Sequence, residues 1–191
     1  MSQAYQEIHK EIIEASKTGD RKSQFMLYKL YANAMFNITM RMMNFKNDEA
    51  EDMLQESFIE AFRKLDSYRY ESSFGAWLKR IVINKCINQM KKKRVDLVLQ
   101  DEIPGIYEEP VTFDDENLQL DVQKIHAAME QLPEGYRVIL SLYLFEGYDH
   151  VEISEIMNIS VSTSKSQYMR AKSKLKDILR SNNIMMNYQY S

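Results

Sequence analysis

Glycine and proline are scarce in this chain: 5 and 3 of its 191 residues. A sandwich or barrel of many short strands needs a turn every few residues, so this supply argues for long helices joined by few breaks. The prolines are also unevenly placed. Pro104 and Pro110, with Gly105 between them, lie in residues 95–121, a stretch with no Lys or Arg and 9 Asp+Glu. Residues 1–94 hold 17 Lys+Arg against 12 Asp+Glu, and residues 122–191 hold 8 against 7. The formal net charge of −3 thus averages a basic first half, an acidic middle and a near-neutral last part. The middle lacks sustained helical periodicity and reads as a flexible acidic linker between two small helical domains, 1–94 and 122–181, followed by a short tail, 182–191. An ordinary solvated tether fits the same composition.

The remaining composition is globular, with 45% hydrophobic and 28% charged residues. Cys86 is the single cysteine, which excludes an internal disulfide and fits a reducing, cytoplasmic setting. No apolar run approaches the ~18–20 residues of a membrane span, and the N-terminus lacks a signal-peptide core. The fold class expected is all-α.

Within the first half, Ile8, Ile12 and Ala15 mark a short leading helix ending near Gly19. Phe25, Tyr28, Ala32, Met35, Phe36, Met42 and Met43 follow helical spacing over the next segment. A cleaner stripe is Ala50, Met53, Leu54, Phe58, Ala61, Phe62 and Leu65, with Asp48 and Glu51 placed as a capping box. The opposite face carries Glu49, Asp52, Gln55, Glu56 and Glu60, a row that reads equally as a solvated face. A further helix starts near Ser72 or Ser73, turns Phe74, Trp77, Leu78, Ile81 and Val82 inward, and sets Arg80, Asn84 and Lys91 on one flank. It ends in Lys91, Lys92, Lys93 and Arg94. The preceding loop, Asp66 to Ser73, mixes Tyr68 and Tyr70 with Arg69 and Ser72, groups able to stack on an extruded base and bond its edge. A polar surface loop has the same make-up, and Trp77 reads as a core anchor.

In the second half, Val122, Ile125, Met129 and Leu132 form a stripe ending at Pro133, which opens a helix burying Val138, Ile139, Leu142 and Phe145 and stopping at Gly147. Asp149 and Glu152 form a second capping-box pattern, Ile153 and Ile156 point inward, and Asn158 suits a left-handed turn. Ser160 or Ser162 then caps a longer helix with Val161, Tyr168, Ala171 and Leu175 facing in. A short helix, a tight turn and a longer Ser/Thr/Lys-rich helix outline a helix-turn-helix. Near the start of its second helix, Ser162, Thr163, Lys165, Ser166 and Gln167 suit a major groove, and Arg170 a phosphate. A plain αα-hairpin with a basic face fits the same pattern.

Catalytic signatures are missing. His9, His126 and His150 lack partners at metal-ligand spacing, and there is neither a phosphate-cradling glycine loop nor a nucleophile elbow. The chain is read as a non-enzyme, with no metal and no cofactor.

Two segments carry a resemblance. DEAEDMLQESFIEAFRKL, followed by FGAWLKRIVINKCINQMKKKR, resembles region 2 of the extracytoplasmic-function (ECF) sigma factors of the sigma-70 family, and QLPEGYRVILSLYLFEGYDHVEISEIMNISVSTSKSQYMRAKSKLK resembles their region 4. The resemblance runs from about Tyr5 to Leu179. It implies that residues 1–94 bind core RNA polymerase and the −10 element, and that residues 122–181 bind the −35 element. Asp52, Gln55 and Glu56 would dock on the clamp coiled coil of the largest polymerase subunit, region 4 on the flap. Tyr68, Arg69, Tyr70 and Ser72 would capture a flipped −10 base. Arg80, Asn84, Lys91, Lys92, Lys93 and Arg94 would follow the −10 backbone. Ser162, Thr163, Lys165, Ser166, Gln167 and Arg170 would read the −35 duplex, and the acidic linker would thread the RNA-exit region. Promoter DNA and an anti-sigma factor are the further partners implied, with no membrane insertion.

Two departures matter. The family pattern of Lys-Ser-Arg in the recognition helix is Lys165, Ser166, Gln167 here, which removes one cation, and the turn has Asn158 in place of glycine. Two rivals remain: a sigma-like decoy that sequesters an anti-sigma factor, which should lack the Lys91–Arg94 cluster, and a stand-alone helix-turn-helix regulator, which should bind duplex tightly without polymerase.

Overall fold

The computed structural model describes residues 7–96 and 122–189, and among these the chain is all-α. Four helices form the first half: α1 (Lys10–Lys17), α2 (Arg21–Met42), α3 (Asn47–Arg63) and α4 (Phe74–Asp96). Four form the second: α5 (Val122–Glu130), α6 (Glu134–Leu140), α7 (His150–Met157) and α8 (Val161–Gln189), the last running into the expected tail. A π-helical turn, Ser141–Phe145, extends α6. The expected linker falls almost wholly outside the described residues.

The α3 stripe is buried as its spacing requires: Ala50, Met53, Leu54, Phe58, Ala61 and Leu65 all face the core, with Phe62 packed at its margin. On α4, Phe74, Leu78, Val82, Ile83 and Cys86 are buried, with Trp77 and Ile81 at the edge. Other expectations shift by part of a turn. On α1 the buried apolar residue is Ile13, with Ile8 exposed; on α2 Leu27, Met35, Ile38 and Met42 face in while Phe25 faces out. Asp48 forms no capping box: α3 starts two residues earlier than that cap requires, at Asn47, whose Nδ2 donates to Glu51 Oε1 at 2.8 Å. In the second half Phe145 is exposed rather than buried, because the π turn rotates the end of α6 outward.

Local signals hold where the helix-turn-helix is built. Asp149 accepts from Val151 and Glu152 amides, Glu152 accepts from the Asp149 amide, and Asn158 adopts φ 57°. Ser160 Oγ caps α8 at the Thr163 amide, 3.0 Å away. Gly147, at φ 75°, ends the π turn in a conformation that favours glycine.

The two halves are not separate bodies. Val138, Ile139, Leu142 and Ile153 of the second half belong to the same buried cluster as Leu27, Met35, Ile38 and Val82 of the first. A smaller cluster, Met129, Leu132, Leu140 and Ala171, centres the second half, and Phe45 from the first packs against it.

Candidate nucleic-acid interface

The α3 row faces solvent. Asp52, Gln55 and Glu56 are exposed, and one turn beyond them Ile59 is 53% exposed, an apolar residue the sequence pattern did not single out. Lys85 of α4 reaches across to Glu56 and Glu60, at 3.3 and 3.1 Å. Glu60 is held below its ordinary value by hydrogen bonds from Lys64 and Lys85. The face is thus a carboxylate row with an apolar residue beside it, pinned from one side by an ammonium group.

The Asp66–Ser73 loop is anchored from an unexpected place. Glu7, buried ahead of α1, accepts from the Phe74 amide at 2.8 Å and from the Tyr68 hydroxyl at 3.1 Å. A carboxylate there caps the first turn of α4 and complements its positive dipole end. Ser73 Oγ accepts from the Ala76 amide at 3.1 Å and completes the cap. Tyr68 is drawn into the core, 3% exposed, its ring packed among Tyr70, Phe74 and Trp77 and its hydroxyl also donating to the Ser72 carbonyl. In this conformation Tyr68 offers no ring face to a base. Tyr70 sits at φ 60° and donates to Glu14, with Lys17 Nζ 4.8 Å from its ring centre. Burial and the Glu14 carboxylate push the Tyr70 hydroxyl well above its usual value of 10. Arg69 and Ser72 remain exposed.

Along α4, Arg80, Asn84, Lys91 and Lys92 are all exposed. Lys93 donates to Glu49 at 2.6 Å, tying the helix end back to α3. The side chain of Arg94 lies outside the described residues. On α8, Ser162, Lys165 and Arg170 are exposed, and Thr163, Ser166 and Gln167 are half-buried. Ser164 is buried and meets His150 Nδ1 at 3.0 Å, locking α8 to the start of α7. Tyr143 stacks on His150 and lies 4.4 Å from Tyr168, buttressing the same joint.

The candidate −10 face meets α7 of the second half. A cleft of about 460 Å³ is lined by Tyr68, Arg69, Trp77 and Arg80 on one side and by Tyr148, Glu152 and Ile156 on the other. Beside it, Glu146 (side chain 7% exposed) lies 2.5 Å from Arg41 Nη2 and 3.7 Å from Lys79 Nζ, and Lys79 also donates to the Glu146 carbonyl at 3.0 Å. Sequence patterning did not find this joint, because its partners stand far apart in the chain and belong to different halves.

Known proteins match in both halves of the chain. The family model for sigma-70 region 2 matches residues 27–95, and that for sigma-70 region 4 matches residues 122–175. The ECF RNA polymerase sigma factor SigW of Bacillus subtilis is 30% identical over 181 residues, covering 90% of this chain and 96% of that protein. The ECF RNA polymerase sigma-E factor of Escherichia coli is 30% identical over 173 residues, covering 84% and 88%. Among solved structures, the sigma factor RpoE in complex with the anti-sigma factor NepR from Bartonella quintana aligns with a TM-score of 0.56 at 26% identity, over 81% of this chain and 95% of that one.

Proposed function

Because the chain belongs to the ECF sigma factors of the sigma-70 family, we propose that it binds core RNA polymerase and directs initiation at promoters carrying −10 and −35 elements. Residues 1–94 act as region 2 and residues 122–181 as region 4, with 95–121 as the acidic connection and 182–191 as a tail. Asp52, Gln55 and Glu56 dock on polymerase, with Ile59 as the apolar contact beside them. Arg69, Tyr70 and Ser72, with Tyr68 once it is released from the core, take up an unstacked −10 base. Arg80, Asn84, Lys91, Lys92, Lys93 and Arg94 follow the adjoining backbone. Ser162, Thr163, Lys165, Ser166, Gln167 and Arg170 read the −35 duplex, and an anti-sigma factor holds the protein in check.

The observation that carries this reading is the placement of unlike faces on one scaffold: a carboxylate row on α3, a basic flank on α4, and a capped helix-turn-helix whose second helix opens with exposed Ser162 and Lys165. Unstacking a base costs a few kcal/mol, which the polymerase contacts supply. No helix among the described residues is long and apolar enough to cross a membrane, and the similar proteins are transcription factors rather than enzymes. The decoy and stand-alone regulator readings find no support in these relatives.

Transcription in vitro with core polymerase on fragmented host DNA, mapping RNA 5′ ends with and without the protein, tests the proposal. New discrete starts sharing upstream elements are expected. Active core and folded protein giving no new start would overturn it.

A further inference from the structure

The Asp66–Ser73 loop is held from behind by a stretch of chain that carries none of the candidate reading residues. Residues 7–17 precede the stretch matched by the sigma-70 region 2 model, 27–95. From this segment Glu7 accepts from the Phe74 amide and fixes where the loop gives way to α4. Lys17 Nζ donates to the Tyr68 carbonyl at 3.3 Å and to Glu14 Oε1 at 3.0 Å, and it lies 4.8 Å from the centre of the Tyr70 ring. Glu14 accepts from the Tyr70 hydroxyl, and Lys10 Nζ stands 5.7 Å from the same ring centre. Lys10, Glu14 and Lys17 follow i, i+4, i+7 spacing, which sets all three on one face of α1.

The backbone of Tyr70 explains why a clamp is needed. Its φ is 60°, in the left-handed region that bulky side chains avoid and glycine adopts freely. A tyrosine stays there only where surrounding contacts over-determine it. Here the contacts are a carboxylate acceptor for the hydroxyl and two ammonium groups at the ring. Hydrogen bonds from Tyr70 and Lys17 hold the Glu14 carboxyl below its ordinary value, so the acceptor is charged at neutral pH.

The clamp decides where the loop points. Tyr68 is buried and Tyr70 half-buried, both tied to the 7–17 segment, while Arg69 and Ser72 on either side of Tyr70 are exposed. A change of backbone conformation at Tyr70 re-aims the peptide units around it and moves Arg69 relative to Ser72. Reading the edge of an unstacked base needs donors and acceptors within hydrogen-bond tolerance, so a freed Tyr70 blurs the reading. The Glu14 side chain is 51% exposed, and an exposed ion pair adds little to global stability. Loss of the clamp is therefore expected in base reading and not in melting.

We propose that Glu14 and Lys17 of α1 are positioning residues for −10 recognition: they clamp Tyr70 in its left-handed turn and so aim Arg69 and Ser72 at the strand, with no contact to DNA of their own. This rests on the assignment of the Asp66–Ser73 loop to the −10 element. Part of the −10 base preference is then set from a helix that lies outside the region 2 match.

The test assembles the full chain with core polymerase and transcribes template libraries built on a promoter whose start site has been mapped. One pool has its −10 positions randomised and another its −35 positions, each template carrying a barcode in the transcript, so that sequencing reads base preference. Glu14→Ala, Lys17→Ala and Tyr70→Phe are each expected to lower the preference for the favoured −10 base at least fivefold. Glu14→Ala with Tyr70→Phe should fall no further than either alone, because both remove the same hydrogen bond. Preference at −35 should stay within twofold of the parent, with melting temperature and helicity by circular dichroism unchanged. Unchanged −10 preference in Glu14→Ala or Lys17→Ala, losses that multiply in the double variant, or a parallel fall in −35 preference overturns the clamp. Arg69→Ala separates the two ideas. If the parent discriminates −10 bases and Arg69→Ala discriminates equally well, the loop assignment falls and the clamp with it. If Arg69→Ala loses discrimination while Glu14→Ala keeps it, the clamp alone is overturned.

Discussion

Glu7 is the residue on which most of the first half's geometry converges, and it lies 67 positions from the amide it caps. Its carboxylate accepts from the Phe74 amide and the Tyr68 hydroxyl together; that hydroxyl also has the Ser72 carbonyl, so Glu7→Ala leaves the Phe74 amide short of its partner. The expected loss is about 1–3 kcal/mol, measured by urea unfolding, with Tyr68 released toward solvent. Acid sensitivity is also set residue by residue. Hydrogen bonds from Lys93 and from Lys64 hold Glu49 and Glu60 below the ordinary 4.5. Both carboxylates bind protons less readily in the fold than in the unfolded chain. The stability they contribute is therefore complete above pH 4.5 and disappears as pH falls through their lowered folded values. Glu49→Gln with Glu60→Gln should show a smaller fall in melting temperature than the parent between about pH 5 and about pH 3. The Glu60–Lys64 pair is local, four residues apart, but the Glu7 cap and the Lys93–Glu49 pair were not legible in sequence, since contacts between distant segments leave no periodic trace. Tyr68 illustrates the same point: its loop composition pointed to a stacking ring, and a distant carboxylate drew that ring inside.

At the scale of the element, the legible features are those decided within a few residues. The α3 stripe, the Asp149–Glu152 capping box and the left-handed Asn158 were all readable, because each depends on 3.6-residue periodicity or on neighbouring backbone groups. The failures have two causes: on α2 tertiary partners choose a buried face that leaves Phe25 out, and at the π turn the backbone itself rotates Phe145 off the periodic stripe. Each reading element should also fail independently. Lys165→Ala with Gln167→Ala on α8 should weaken use of promoters that depend on a −35 element by at least tenfold, at a base-contact cost of ~1–3 kcal/mol per bidentate pair, while polymerase affinity holds. Asp52→Ala with Glu56→Ala on α3 should have the reverse effect, weakening polymerase binding in a pull-down titration. If both pairs impaired the same step, the division of labour between α3 and α8 would be wrong.

For the whole molecule, composition disclosed two helical halves and an acidic connection but could not disclose that the halves share a core. That requires knowing that Val138, Ile139, Leu142 and Ile153 pack into the buried cluster of α2 and α4 as well as against their own half. Cavity formation at Leu142, fully buried, should therefore unsettle both halves: Leu142→Ala is expected to cost ~2–5 kcal/mol and to speed amide exchange in α2 as well as α6. A core shared by both halves also ties their stabilities together. A substitution that improves the fit of Leu142 or Ile153 to the first half then makes both halves harder to melt. Under selection for heat tolerance, this seam is therefore where a single change counts twice.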